Sequence, residues 1–188
     1  MTSTALKALE DLNLRDNNQL EITPAKLREV ITELVKKTGG FGDYDNSSST
    51  LQSITAATWT KLTNDGLGAD SFEDYLPYFS DTLFSADSIQ LTGLPIGTLV
   101  TCRIDFTTQV LSNNTEVRLR ARFKNDLGAD VFDQIFETKN YKSIKTYSGV
   151  TFYEFYVGSS IEGGTVDFEL NPDSNINALF NGVLITIP

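Results

Sequence analysis

Any chemistry this chain performs has to draw on 25 acidic side chains and no histidine. Without imidazole there is no Ser-His-Asp or Cys-His nucleophile, no His-ligated zinc or iron, and no imidazole pH switch. Two carboxylates alone can cleave a glycosidic bond. With 25 of them in 188 residues, however, their presence selects no pair. No G-x-S-x-G elbow, P-loop or C-x-x-C pair occurs, and Gly66-Leu67-Gly68 leads into no βαβ unit. The lone Cys102 alternates with Val100, Ile104 and Phe106, which places it on an apolar face as an inert thiol. It has no partner for an intramolecular disulfide, which suits assembly in a reducing cytoplasm. The expectation is a non-enzymatic chain without catalytic residues, cofactor or metal.

Three features could bind rather than react. The first is a near-duplicate, Asn64-Asp65-Gly66-Leu67-Gly68-Ala69-Asp70 and Asn125-Asp126-Leu127-Gly128-Ala129-Asp130, each followed by a phenylalanine two residues on. These are either ordinary turns, placed equivalently in two sheets or left by an old duplication, or carboxylate loops for calcium, although the full EF-hand spacing is missing. The second is a row of Arg118, Arg120 and Arg122 behind the apolar row Val117, Leu119, Ala121 and Phe123. Like charges in one row need partners, and Asp167 and Glu169, or Asp105 beside Arg103, could supply them. The row is then a structural lattice, a polar subunit interface or an anion site. The third is a set of aromatics able to stack on sugars: Trp59, Tyr75, Tyr78, Tyr147, Tyr153 and Tyr156.

Hydrophobic residues make up 40% and aromatics 11%, with 5 prolines, which describes a chain able to pack a core. The net charge of -10 argues against a nucleic-acid partner, since a polyanion requires a cationic footprint. No signal peptide is visible, and no stretch nears the ~20 apolar residues needed to span a bilayer, so no membrane insertion is expected. The clearest helix covers residues 24–37, with Thr23 as cap, Pro24 in the first turn, and Gly39 and Gly40 ending it. Its stripe of Leu27, Val30, Ile31, Leu34 and Val35 requires cover, either from the chain's own body or from other copies or a socket. A weaker helical signal covers residues 4–12.

Residues 41–50 read as a Gly/Ser/Asp/Asn linker, dividing a helical segment (1–40) from a body (51–188). In the body, β-branched and aromatic runs alternate with turns, predicting a mainly-β antiparallel sandwich. Strands are expected at 54–62, 88–91, 99–110, 116–123, 141–147, 150–157, 165–170, 176–180 and 183–187. Asn181-Gly182 predicts a two-residue hairpin turn that pairs Phe180 with Val183, Ala178 with Ile185 and Ile176 with Ile187.

The run Asn17-Asn18-Gln19-Leu20-Glu21-Ile22-Thr23-Pro24-Ala25-Lys26-Leu27-Arg28-Glu29-Val30-Ile31 resembles the leader of tail-fibre and related virion proteins of tailed bacteriophages. Between Ser88 and Arg122, Ile89-Gln90-Leu91-Thr92-Gly93-Leu94, Ile96-Gly97, Arg103-Ile104-Asp105-Phe106 and Asn113-Asn114-Thr115-Glu116-Val117 resemble their jelly-roll domains, as does Phe155-Tyr156-Val157-Gly158. The resemblance implies a virion protein made in the host cytoplasm. It implies a homotrimer attached to another virion protein through its N-terminal segment, with jelly rolls projecting as a fibre or receptor-binding head that could touch a host-surface glycan. Capsid decoration, or an architectural joint without host ligand, is the alternative, and a small glycan hydrolase is the remaining one.

Overall fold

The computed structural model describes residues 39–188, so the helix of residues 24–37 with its apolar stripe, and the signal over 4–12, lie outside the described residues. The strands are β1 (Gly40–Asp45), β2 (Gln52–Ile54), β3 (Thr60–Lys61), β4 (Phe72–Tyr75), β5 (Phe84–Ser85), β6 (Ser88–Gln90), β7 (Leu99–Val110), β8 (Thr115–Lys124), β9 (Asp130–Tyr141), β10 (Thr146–Tyr156), β11 (Thr165–Pro172) and β12 (Ile176–Ile187). Sheet A runs β10-β7-β12-β1-β4, with β2 also on β12; sheet B runs β5-β6-β11-β8-β9, with β3 also on β11. All pairings are antiparallel.

The order follows one rule. From the β8–β9 hairpin outward, β7 pairs with β10, β6 with β11 and β1 with β12, and these nested pairs alternate between the two sheets. A long hairpin wound in this way is a jelly roll. The sandwich expected from the sequence is therefore present, and the winding is read directly from strand order.

Alternation explains why these segments are strands. In β7, Val100, Cys102, Ile104, Phe106, Thr108 and Val110 all point inward and are buried, while their neighbours face out. Strand β10 extends this row within sheet A, strands β8 and β11 of sheet B supply the opposing rows, and Phe106, Phe123, Phe168 and Phe180 fill the centre. Cys102 is fully buried, and burial pushes its thiol up, which agrees with an inert side chain.

Four expectations are corrected. The segment read as a linker holds all of β1 except its first residue, Gly40, and the six residues of that strand pair with β12. Its glycines permit close approach rather than flexibility, since a Cβ on Gly40 would overlap the Tyr75 carbonyl oxygen. Tyr44 is buried, and its hydroxyl accepts the Leu83 N–H at 2.9 Å. The single strand expected at 54–62 is two short strands, β2 and β3, joined by a turn at Ala57, which has φ 56°. Residues 142–145 form the connection between β9 and β10, and β9 itself was missed.

The fourth correction concerns Asn181-Gly182, which turns no hairpin. Strand β12 continues through it beside β7 with a register shift between Phe180, opposite Phe106, and Gly182, opposite Asp105. One extra residue at a bulge reverses the alternation, so that Ile176, Ala178 and Phe180 before it and Val183, Ile185 and Ile187 after it all face the core. A two-residue hairpin produces the same parity, which is why the pattern misled.

One loop glycine is required outright. Gly93 has φ 81°, and a Cβ there would overlap the Phe79 carbonyl oxygen. Gly93→Ala is expected to cost about 2–4 kcal/mol from left-handed strain and backbone displacement. Calorimetry should show the thermal midpoint falling by roughly 5–15 °C. An unchanged midpoint would mean that this loop does not pack as described.

Candidate functional site

The two outward faces of the sandwich differ in kind. On sheet B, the row opposite the core consists of Arg118, Arg120, Arg122 and Lys124 on β8, with Asp167 and Glu169 beside them on β11. The register sets Arg122 opposite Asp167 and Arg120 opposite Glu169. Arg120 Nη2 lies 2.6 Å from Glu169, Lys124 2.7 Å and Lys61 3.0 Å from Asp167, and Arg122 3.2 Å from Asp130. Arg120 also pairs with Asp133, and Arg118 with Glu116 at 2.7 Å. Ser88 donates its hydroxyl to Asp167 at 2.6 Å. The Arg120 guanidinium lies 4.1 Å from the Trp59 ring.

This is the structural lattice among the three readings of the arginine row, with Asp167 and Glu169 as its acids. The other pair, Arg103 and Asp105, bond to each other at 2.6 Å on sheet A. Asp167 is buried, which alone would raise its pKa, yet hydrogen bonds from Lys124, Ser88 and Lys61 hold it below the ordinary range. A folded pKa below the unfolded one contributes stability that is present above the unfolded value, near 3.8, and is lost as pH falls through the folded value. The thermal midpoint is therefore expected to fall on acidification below about pH 4, and Asp167→Asn should flatten that limb while lowering the midpoint at pH 7. An acid limb of equal steepness in both proteins would count against this assignment.

The outer face of sheet A carries rings instead. Strand register aligns Phe152, Arg103, Leu184, Asp43 and Phe72 across it, next to Glu154, Thr101, Thr186, Phe41 and Tyr75. A third row runs Val150, Asp105, Gly182 and Asp45. Exposure is 53% at Val150, 67% at Phe152 and 67% at Tyr156 on β10, with 38% at Phe72 and 46% at Tyr75 on β4. Phe41 stacks on Tyr75 at 5.2 Å and meets Phe72 edge-on at 5.5 Å. The face therefore has an apolar patch at each edge and a charged centre of Arg103, Asp105, Asp43 and Asp45. Burial raises the pKa of Asp43 and Asp45 above the ordinary carboxylate value, and neighbouring carboxylates add to the shift.

An open groove of about 520 Å3 lies beside this face, between the loop carrying Asp65 and Gly66, the strand carrying Phe72 and Glu73, and Thr82 with Phe84. Its carboxylates are already engaged: Asp65 accepts from Ser47 and from the Leu67 N–H, and Glu73 accepts the Thr82 hydroxyl at 2.6 Å.

The six aromatics singled out from sequence do not form one platform. Tyr156 and Tyr75 lie at opposite edges of the sheet A face, and Tyr78 is exposed in the following loop. Trp59 lies under Arg120, and Tyr147 packs on Tyr141 at 4.5 Å with its hydroxyl donating to the Ser143 carbonyl. Tyr153 is corrected: it faces the core, stacked on Phe136 at 4.6 Å, with its hydroxyl donating to Gln134. Sequence reasoning missed Phe152, Val150, Phe41 and Phe72. The signal was available in β10, where Val150, Phe152 and Tyr156, interrupted by Glu154, make the outward row nearly as apolar as the inward row Thr151, Tyr153 and Phe155.

The twin loops are turns closed by their asparagines. Asn125 accepts from the Leu127 and Ala129 N–H groups, Asn64 accepts from Gly66 N–H, and Gly128 and Gly66 take φ of 76° and 69°. Both follow strands of sheet B, not one of each sheet. Among the described residues, no three Asp, Glu, Cys or His come together as a metal would require.

No family model matches the chain, and no curated protein does. Among solved structures it is similar to the vertex protein P5 of PRD1, with 18% identity, 79% of this chain and 70% of that one covered, and a TM-score of 0.46. It is similar to infectious bursal disease virus, Gt strain, at 6% identity, covering 81% of this chain and 32% of that one, TM-score 0.48. It is also similar to the Eiger TNF of S. frugiperda at 9% identity, covering 80% and 92%, TM-score 0.45.

Proposed function

We propose that the chain is a non-enzymatic structural protein of a bacteriophage particle, a homotrimeric fibre or receptor-binding head whose jelly roll projects outward. Its N-terminal segment, with Leu27, Val30, Ile31, Leu34 and Val35 as the gripping stripe, would join it to another virion protein. The observation that carries the reading is the contrast between the two sheet faces. The charged groups of sheet B are consumed in a stabilising lattice, while sheet A offers rings to another surface. Such a chain works by what it touches.

The groove favours a receptor-binding head over a decoration protein or joint without ligand. It has the volume of a small-ligand site, Phe72 offers an exposed ring for a sugar to stack on, and hydroxyl and carboxylate groups line its walls. Three such sites on one trimer would gain affinity for a host-surface glycan through multivalency.

Antibody raised against the protein, gold-labelled and applied to purified particles, is expected to decorate projecting structures. Unlabelled particles would overturn the virion assignment. Labelled particles whose purified protein binds no glycan of the host surface would favour the decoration reading.

A further inference from the structure

We infer that the groove between β4 and the Asp65 loop selects an uncharged sugar, holding its hydroxyls on the Glu73 carboxylate and its C–H face on the Phe72 ring, and turns away acidic sugars and sugar phosphates. The inference rests on the receptor-binding reading above and names the ligand class of that site.

The groove lies where the sandwich opens along one side. Strand β4 ends sheet A and β5 ends sheet B. Between them Tyr44 and Phe84 form the floor, with ring centroids 5.5 Å apart, and Gly66, at φ 69°, passes close over both rings. Because β4 is an edge strand, Phe72 and Glu73 both reach the groove although they leave the strand in opposite directions. Its volume of about 520 Å3 falls within the roughly 300–1,000 Å3 of small-ligand sites.

Glu73 is a carboxylate set in place from behind. Thr82 donates its hydroxyl to Oε1 at 2.6 Å, and the hydroxyl of Tyr44, a side chain only 2% exposed, donates to the same carboxylate while accepting the Leu83 N–H. Burial, and then that bond, push the Tyr44 hydroxyl above its ordinary pKa and keep it a donor. A carboxylate has about four acceptor positions, so about two remain on Glu73 for adjacent sugar hydroxyls. Holding the group beforehand removes part of the ordering cost of binding. Asp65 differs, since it is spent inside its own loop on the Ser47 N–H, the Ser47 hydroxyl and the Leu67 N–H.

Charge decides which sugar fits. The groove's lining has two carboxylates and neither Lys nor Arg. Lys61 donates to the carbonyl of Ala86, a lining residue, but its charge is matched by Asp167 at 3.0 Å. Residues 39–100 carry eight Asp or Glu and this one base. An acidic sugar would bring like charge into that field with no cation to receive it. A neutral sugar donates its hydroxyls in charge-assisted bonds and covers Phe72 with its apolar face, whereas a small cation would leave the ring and the floor bare.

Saturation-transfer difference NMR tests this on the full-length protein. The neutral probes are the methyl glycosides of glucose, galactose, mannose and N-acetylglucosamine; the charged ones are glucosamine, glucuronic acid, N-acetylneuraminic acid and glucose 6-phosphate, each at millimolar concentration. At least one neutral glycoside is expected to bind, and the acidic sugars at least about tenfold more weakly. Glu73→Gln and Phe72→Ala should each weaken the neutral sugar about tenfold or more, the scale of one lost charge-assisted hydrogen bond. Thr138→Ala, on exposed β9, should leave it unchanged. Near-ultraviolet circular dichroism verifies folding, and if Phe72→Ala unfolds, Phe72→Leu removes the ring while keeping apolar volume.

A protein that binds none of the probes would overturn the glycan reading of the groove itself. Preference for an acidic sugar or for glucosamine, lost in Glu73→Gln, would leave that reading standing and overturn the ligand class. A neutral sugar held equally well by both groove variants would overturn this groove as the site.

Discussion

A chain ending at Asn181 is expected to lose its cooperative unfolding transition altogether. The removed residues are not one arm of a terminal hairpin but the middle of sheet A, where Gly182 to Ile187 pair with β1 on one side and Gly182 to Thr186 with β7 on the other. Val183, Ile185 and Ile187 are each no more than 3% exposed. Burying an aliphatic side chain of this size contributes about 1.5–3 kcal/mol, so the three account for roughly 5–9 kcal/mol. A domain's whole stability is about 5–15 kcal/mol. Removal also leaves the edges of β1 and β7 without a partner inside the sandwich, where a backbone amide or carbonyl is costly to leave unbonded. Urea unfolding followed by near-ultraviolet circular dichroism should show a broad, featureless drift. A sharp transition in the shortened chain would mean that β12 is not central.

Arg120→Ala is expected to cost about 3–5 kcal/mol, the range for breaking a buried ion pair by removing one partner. Arg120 and Glu169 both have 7% of their side chain exposed, so alanine leaves the Glu169 carboxylate buried with Arg122, at 3.5 Å, as its remaining ion-pair partner among the described residues. The Trp59 ring also loses the guanidinium that covers it. The companion is Arg120→Met with Glu169→Leu, which removes both charges and keeps apolar volume over Trp59. Such double replacements are often neutral or stabilising, so most of the loss should be regained. Urea denaturation of the three proteins decides the matter. A loss under about 1 kcal/mol for Arg120→Ala would put the pair in the class of exposed surface bridges.

Much of the sheet B lattice was legible because both halves of it lie on strands with clean alternation. Arg118, Arg120 and Arg122 stand out of step with Val117, Leu119 and Ala121, and Asp167 and Glu169 stand out of step with Val166, Phe168 and Leu170. Trp59, Asp130 and Asp133 were not legible as members, because they reach the lattice from a turn and from an edge strand. Strand β9 has six exposed residues in succession and two bulges against β8, so it never displays the alternation by which strands are recognised. The sheet A face failed for another reason. Its rings come from β1, β4 and β10, far apart in sequence, and only strand order makes them neighbours.

The sequence alone determined that the chain buries a two-layer β core and, with no histidine and one inward cysteine, which chemistries it lacks. Both follow from local facts: composition and the period-two direction of side chains along a strand. Tertiary structure alone decided that a glycine-rich stretch is a strand, that Asn181-Gly182 is a bulge and not a reversal, and that the aromatics of three strands share a face. A shift of parity along the chain reports that one residue has been inserted, but not whether the backbone then turns back or runs on. That choice is made by the strands available on either side, and for β12 they were β7 and β1.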